Sequence, residues 1–302
     1  MGVALRSAND CRIPLMLNVS TRKGVLFAVL AVATPLSAQT YESVSAARQY
    51  RSEENLHVSV SFAVGSFVLR PDHTGSLYRA GLTYDRELFR AVHEYSPRSR
   101  TVALGVRSRN ENRGNFNLDL DDTRQKLEVT IAPQVPVNLE LRLGAGESEI
   151  ELGGLSLERI TVESGATVSN LNFDSLNQIE CEEMAITVGA AEFAVYGLSN
   201  SRCRTIKFKA GAGEFTLDFS GTPPDGYESE VEIELGLAVL TLRLPSDAGV
   251  AIEVRRFLAS FDSDGLIKRG SVYYSPNYDA ADYKLNFSVS TIIGSVEIEW
   301  LR

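Results

Sequence analysis

Few residues in this sequence have the types and spacing that chemistry requires. The three histidines, His57, His73 and His93, stand in the N-terminal part without the short Cys/His spacing of a zinc site. They read as surface or turn residues. The densest carboxylate group there, Asp119, Asp121 and Asp122, lies in Asn117-Leu-Asp-Leu-Asp-Asp122, which lacks the glycine and terminal glutamate of a calcium loop. A strand end followed by a polar turn accounts for it. Gly144-Ala145-Gly146 would cradle phosphate only with a helix after it, and no helical period follows. Gly-x-Ser-x-Gly, Walker and dinucleotide motifs are missing. The expectation is no catalytic residue, no cofactor and no metal. Two features remain to which chemistry attaches: the thiols of Cys181 and Cys203, and the single tryptophan, Trp300.

The elements that must position them are strands. Apolar and polar residues alternate, as in Ile206-Lys207-Phe208 and Phe215-Thr216-Leu217-Asp218-Phe219, which gives each strand one buried face. Glycine corners recur at Gly144, Gly165, Gly189, Gly211 and Gly236, at nearly constant spacing. Five and three residues before each corner stand Leu139 and Leu141, Ile160 and Val162, Met184 and Ile186, Ile206 and Phe208, Val231 and Ile233. Six residues after stand Ile150, Leu171, Val195, Leu217 and Leu242. Every one of these positions is apolar. A repeat this short means a solenoid, since a four-stranded propeller blade needs about 40 residues. The fold class is therefore all-β, a single-domain β-solenoid of stacked coils. Glycine would supply the backbone freedom for the bend between strands.

Stacking sets outward residues side by side, so Arg142 should meet Glu163, Lys209 Glu234 and Lys207 Glu232. Lys207, Lys209 and Asp218 should point outward. Cys181 and Cys203 each lie eight residues before their corner, which brings them together on adjacent coils about 5 Å apart. They form either a disulfide or two reduced thiols in the buried ladder. Trp300 lies on the last strand, Ser295 to Arg302, as a cap on the core or a docking edge; polar residues 41–55 would run across the other end.

The chain has 302 residues and a formal net charge of −9, with acidic residues spread rather than blocked. That excludes nucleic acid, which needs clustered Lys and Arg, and argues against docking on anionic lipid. Arg22 and Lys23 precede an uncharged apolar run from Gly24 to Leu36, followed by Ser37-Ala38-Gln39. This reads as a secretory signal peptide over residues 1–38, with a start at Met16 also complete, and the run is too short for a stable membrane span. The domain is then 39–302, and removal of Arg6, Arg12, Arg22, Lys23 and Asp10 with the signal leaves a net charge of −12. The expected location is periplasmic or extracellular.

The segments Phe62-Ala-Val-Gly-Ser-Phe-Val-Leu-Arg-Pro71, Leu77-Tyr-Arg-Ala80 and Leu141-Arg-Leu-Gly-Ala-Gly146 resemble the toast-rack domains of bacterial envelope proteins. So do Gly211-Ala-Gly-Glu-Phe-Thr-Leu-Asp-Phe-Ser-Gly221 and Tyr273-Tyr-Ser-Pro-Asn-Tyr-Asp279. The resemblance, to LiaF-type envelope stress proteins and related adhesin-like proteins, implies a bacterial β-helix without known catalytic residues. The chain lacks the membrane-helix bundle of the LiaF type, which removes support for a direct kinase-regulating role. It points to a non-catalytic exported envelope module whose partner is an envelope protein or a glycan. The alternative is a carbohydrate-active enzyme, since some β-helices are lyases or hydrolases with Asp, Lys and Arg projecting from adjacent coils. Such enzymes build their clefts from long loops, and here the loops are short apart from Thr222-Pro-Pro-Asp-Gly226 and the stretch from Ser263 to Tyr278.

Overall fold

The structure, a computed structural model, describes residues 41–109 and 124–302. The expected signal segment and Asp119, Asp121 and Asp122 lie outside the described residues.

The long strands are β2 (Leu56–Pro71), β7 (Pro136–Glu151), β8 (Ser156–Asn172), β9 (Cys181–Tyr196), β10 (Cys203–Asp218), β11 (Glu228–Pro245), β12 (Gly249–Phe261) and β15 (Lys284–Leu301). The geometry of one junction explains the coil. Strand β7 has 16 residues and would measure roughly 50 Å if straight. Residues 152–155, which lead to β8, span at most about 14 Å. Yet β7 and β8 pair in parallel along nearly their whole length. Each strand must therefore fold back at its middle, so that its two arms form one coil. Parallel pairing usually needs a long crossover; here the bent strand is itself the crossover.

The shorter strands are β1 (Tyr41–Gln49), β3 (Ser76–Asp85), β4 (Phe89–Ser96), β5 (Thr101–Ser108), β6 (Lys126–Ile131), β13 (Ile267–Arg269) and β14 (Val272–Tyr274). The described strands form one sheet in the order β1-β3-β6-β2-β7-β8-β9-β10-β11-β15-β12-β14-β13, with β5 also pairing β2 and β4 pairing β5. At the N-terminal end β5 and β6 together make the coil below β2, and β1, β3 and β4 run antiparallel to their neighbours.

The repeat register is the structural register. Leu141, Val162, Ile186, Phe208 and Ile233 are paired in succession from β7 to β11, and so are Ile150, Leu171, Val195, Leu217 and Leu242. All fifteen inward positions of the repeat are buried. Lys209 faces solvent. Asp218 does not: it is only 4% exposed. Its Oδ1 accepts the Ser220 amide at 2.7 Å, and its Oδ2 accepts from Arg243, its register partner. A strand-end carboxylate is drawn in because the following turn needs an acceptor. Lys207 also departs from expectation, reaching Glu183 on the coil before rather than its register partner Glu232.

The corner glycines are required for a different reason than backbone freedom. A Cβ on Gly165 would stand 2.4 Å from the Gly144 carbonyl oxygen. Equivalent clashes of 2.8, 2.6 and 2.4 Å await Gly189, Gly211 and Gly236, each against the corner glycine of the coil before. Left-handed φ appears two residues further on, at Gly146 (124°) and Gly213 (139°).

The chain's last strand is not the last strand of the stack. β15 lies between β11 and β12, parallel to both. Residues Tyr41–Gln49 form β1, the outermost strand of the sheet order at the N-terminal end, paired antiparallel with β3. Gly165→Ala should destabilise the protein by about 1–3 kcal/mol through this overpacking. Gly81→Ala, where a Cβ meets nothing within 4 Å, should stay within roughly 0.5 kcal/mol. Urea unfolding of both variants measures the difference.

Candidate interaction surface

The first arms of the coils present a face of mixed charge. Arg142 Nε donates to Glu163 at 3.2 Å and also pairs with Glu140 on its own strand. Lys209 lies 3.0 Å from Glu234. These groups are about half exposed, so each pair contributes at most about 1 kcal/mol, and their main effect is to hold register. The face compensates itself and carries no single-sign strip for a charged polymer.

Two of the surface depressions lie along the repeating coils. Along the corner, Gly144, Gly165 and Gly189 floor a shallow trough of about 510 Å³ bordered by Arg142, Glu163 and Thr187. Near the loop before β11, a polar cleft of about 550 Å³ brings together Glu180, Arg202, Arg204, Asp225, Glu228 and Glu230. Most of its charges are already engaged. Glu180 pairs with Arg204, Arg202 donates to the Asn177 carbonyl at 3.0 Å, and Asn286 Nδ2 donates to Glu228 and Glu230, both at 2.9 Å. One carboxylate, Glu151, is held above its usual pKa by burial, but its Oε1 accepts the Gly153 amide at 2.7 Å and so caps a turn. It does not line the cleft.

The histidines stay apart. His93 Nε2 hydrogen-bonds the Tyr78 hydroxyl at 2.9 Å, His57 lies 3.8 Å from Glu140, and His73 is exposed. Among the described residues no group of three His, Cys, Asp or Glu side chains is placed to hold a metal. Cys181 and Cys203 are register partners with Cα atoms 4.2 Å apart, fully buried, and their Sγ atoms are bonded in the structure. Trp300 is half-buried beside Leu244 in the register, and its Nε1 donates to the Asp264 carbonyl at 3.1 Å. It is thus held under the loop after β12, on an inner strand.

Two family models match the chain. Residues 36–196 match the N-terminal domain of toast_rack, a span of more than half the chain. The chain belongs to the toast-rack family. Residues 194–298 match a second model, the C-terminal region of the cell wall-active antibiotics response protein LiaF. Among solved structures, a candidate cell adhesion protein from Clostridium sporogenes is 16% identical, with 87% of this chain and 100% of that chain covered and a TM-score of 0.45. A candidate adhesin from Bacteroides fragilis is 9% identical over 87% and 98% of the two chains, with a TM-score of 0.38. A candidate lipid-binding protein from Parabacteroides distasonis is 13% identical over 87% and 97%, with a TM-score of 0.39. No curated protein matches. No helix among the described residues is long and apolar enough to cross a membrane.

Sequence reasoning missed the polar groups that lock the turns of this toast-rack chain. Asn177, fully buried, accepts the Leu157 amide at 2.7 Å and donates to the Leu157 and Ile179 carbonyls, both at 2.8 Å. Asn200 does the same work one coil on, between the Phe173 carbonyl and the Thr222 amide. Both lie between repeat positions, where periodicity carries no signal. Beside the cysteines, the Tyr227 hydroxyl and Ser229 Oγ both donate to the Cys203 carbonyl at 2.9 Å. Burial pushes Tyr227 up to about 12. Burial, together with Asp247, also raises Tyr283. A neutral phenol is thus favoured in the folded state, so above pH 10 the unfolded chain sheds the proton first. Stability contributed by Tyr227 is complete below pH 10 and falls as pH rises towards 12, by on the order of 2–3 kcal/mol. Tyr227→Phe should cost about 1 kcal/mol at neutral pH and make the alkaline limb of urea-unfolding stability shallower.

Proposed function

We propose that the protein is exported and works as a non-catalytic interaction module of the bacterial cell envelope, in the response to envelope stress or in adhesion. The observation that carries this reading is the match of residues 194–298 to the C-terminal region of a cell wall-active antibiotics response protein. The surface supports it. A glycan-cleaving enzyme needs an acid poised opposite a second carboxylate at a fixed separation. Three carboxylates of the polar cleft, Glu180, Glu228 and Glu230, are instead tied to Arg204 and Asn286. The expected result with purified peptidoglycan or capsular polysaccharide is no release of reducing ends above buffer. Turnover that disappears in Glu228→Gln or Glu230→Gln would sink the reading.

Export supports the bonded state of Cys181 and Cys203, because disulfides persist outside the cytoplasm. Closing this 22-residue separation would add roughly 3 kcal/mol. Mass spectrometry of the envelope fraction should find a chain beginning at Gln39, and thiol titration of that chain, denatured without reductant, should count none. A cytosolic chain with an intact N-terminus and two titratable thiols beyond Cys11 would overturn export and oxidation together.

A further inference from the structure

The two arms of the coils differ in charge. Ion pairs compensate the first arms, whereas the outward residues on the second arms of β7 to β15 are mainly acidic. Glu147, Glu149, Glu192, Glu214, Glu297 and Glu299 are all exposed there. The one cation among these outward positions is Arg243, held by Asp218 and Glu299, while Glu149 is met by Arg70 from β2. One outward column runs Val168, Glu192, Glu214, Val239 across four successive strands. The two glutamates are direct register partners on strands about 4.8 Å apart. Neither has an ion-pair or side-chain hydrogen-bond partner among the described residues. Like charges directly opposed destabilise a sheet, and nothing in the fold offsets this pair. The flanking valines are exposed, Val168 at 53% and Val239 at 39%. Ala194, the smallest side chain of the next outward row, leaves a depression of about 190 Å³ bordered by both glutamates, both valines and Tyr196.

We infer that this face docks a lysine-rich segment of a partner protein, with one lysine seated in the depression. The inference rests on the reading of the protein as an interaction module and names the chemistry of its partner. An ammonium group is compact and carries three donors, so it bridges two carboxylates on neighbouring strands. Its alkyl stem lies along Val168, Val239 and Ala194, which removes apolar surface from water while the charge stays at the rim. Tyr196 adds an aromatic ring at the border for the same cation. Glu147 and Glu297, also without an ion-pair partner among the described residues, extend the negative field for the lysines that follow. Occupation turns the repulsion between Glu192 and Glu214 into attraction for a shared cation. An unfavourable feature kept at a surface, with no compensation inside the fold, is where function is expected.

Isothermal titration calorimetry of the purified protein with acetylated, amidated decalysine tests it. The expected result is binding that weakens as salt is added. Glu192→Gln/Glu214→Gln should weaken it by roughly tenfold or more. The melting midpoint of that variant should be unchanged or higher, because the like-charge pair is gone. Val168→Ser/Val239→Ser leaves the charge unaltered and should still weaken binding severalfold, which general attraction between an acidic protein and a polycation would not produce. Asp225→Asn/Asp282→Asn removes the same charge elsewhere and should change affinity by less than about twofold. No binding at millimolar peptide would overturn the inference. So would an equal loss in the Asp225→Asn/Asp282→Asn variant, or no loss in the serine variant. Displacement of the peptide by micromolar calcium would also overturn it, by assigning the two carboxylates to a metal ion. Each of these outcomes leaves the glycan-turnover and export measurements standing, so the broader reading fails or survives separately.

Discussion

At each bend from β7 to β11, the carbonyl oxygen of one corner glycine lies 2.4–2.8 Å from where a Cβ on the next corner would stand. That close approach lets successive bends superpose. Superposed bends keep both arms of every coil in register, and register puts Leu141, Val162, Ile186, Phe208 and Ile233 in one column inside. A side chain at any of these glycine corners would push two coils apart and spoil the parallel ladders on both sides of it. The apolar interior therefore depends on backbone atoms at the surface.

The same constraint shapes the outside. A column without side chains leaves a trough, and the first arms beside it carry charges that pair from coil to coil, Arg142 with Glu163 and Lys209 with Glu234. Such a surface offers long, regular contact of mixed charge rather than a site aimed at one small ligand. Most charges of its polar cleft are already engaged, Glu180 by Arg204 and Glu228 and Glu230 by Asn286. These features suit a protein that touches large envelope components, and they agree with the family to which the chain belongs. Where the glycine column ends, at Ile292 and Phe257, the surface changes from recessed to projecting, and β12 has no second strand partner there among the described residues.

Much of the fold was legible because a parallel in-register stack makes sequence spacing and spatial neighbourhood the same thing. Residues 21 to 25 apart occupy equivalent places on adjacent coils, so a column of contacts appears in the sequence as a period. The adjacency of Cys181 and Cys203, of Arg142 and Glu163 and of Lys209 and Glu234 followed from counting alone. The polar turn residues Asn177, Asn200 and Tyr227 were not legible, since each serves a connection whose length and path differ from coil to coil.

By itself the sequence determined the strand period, the inward columns, the coil register from β7 to β11 and the acidic balance. These depend only on which residues are apolar and how far apart they stand. Tertiary structure alone decided what happens where coils stop repeating. It placed β15 between β11 and β12, so the last strand in the chain became an inner strand and Trp300 went under a loop instead of onto an edge. It also drew Asp218 inward to Arg243 and turned Lys207 to Glu183. In each case the choice lies between partners nearly equal in sequence terms, and it is settled by backbone geometry: which ladder has a free side, which turn lacks an acceptor, and which carboxylate lies nearest in space.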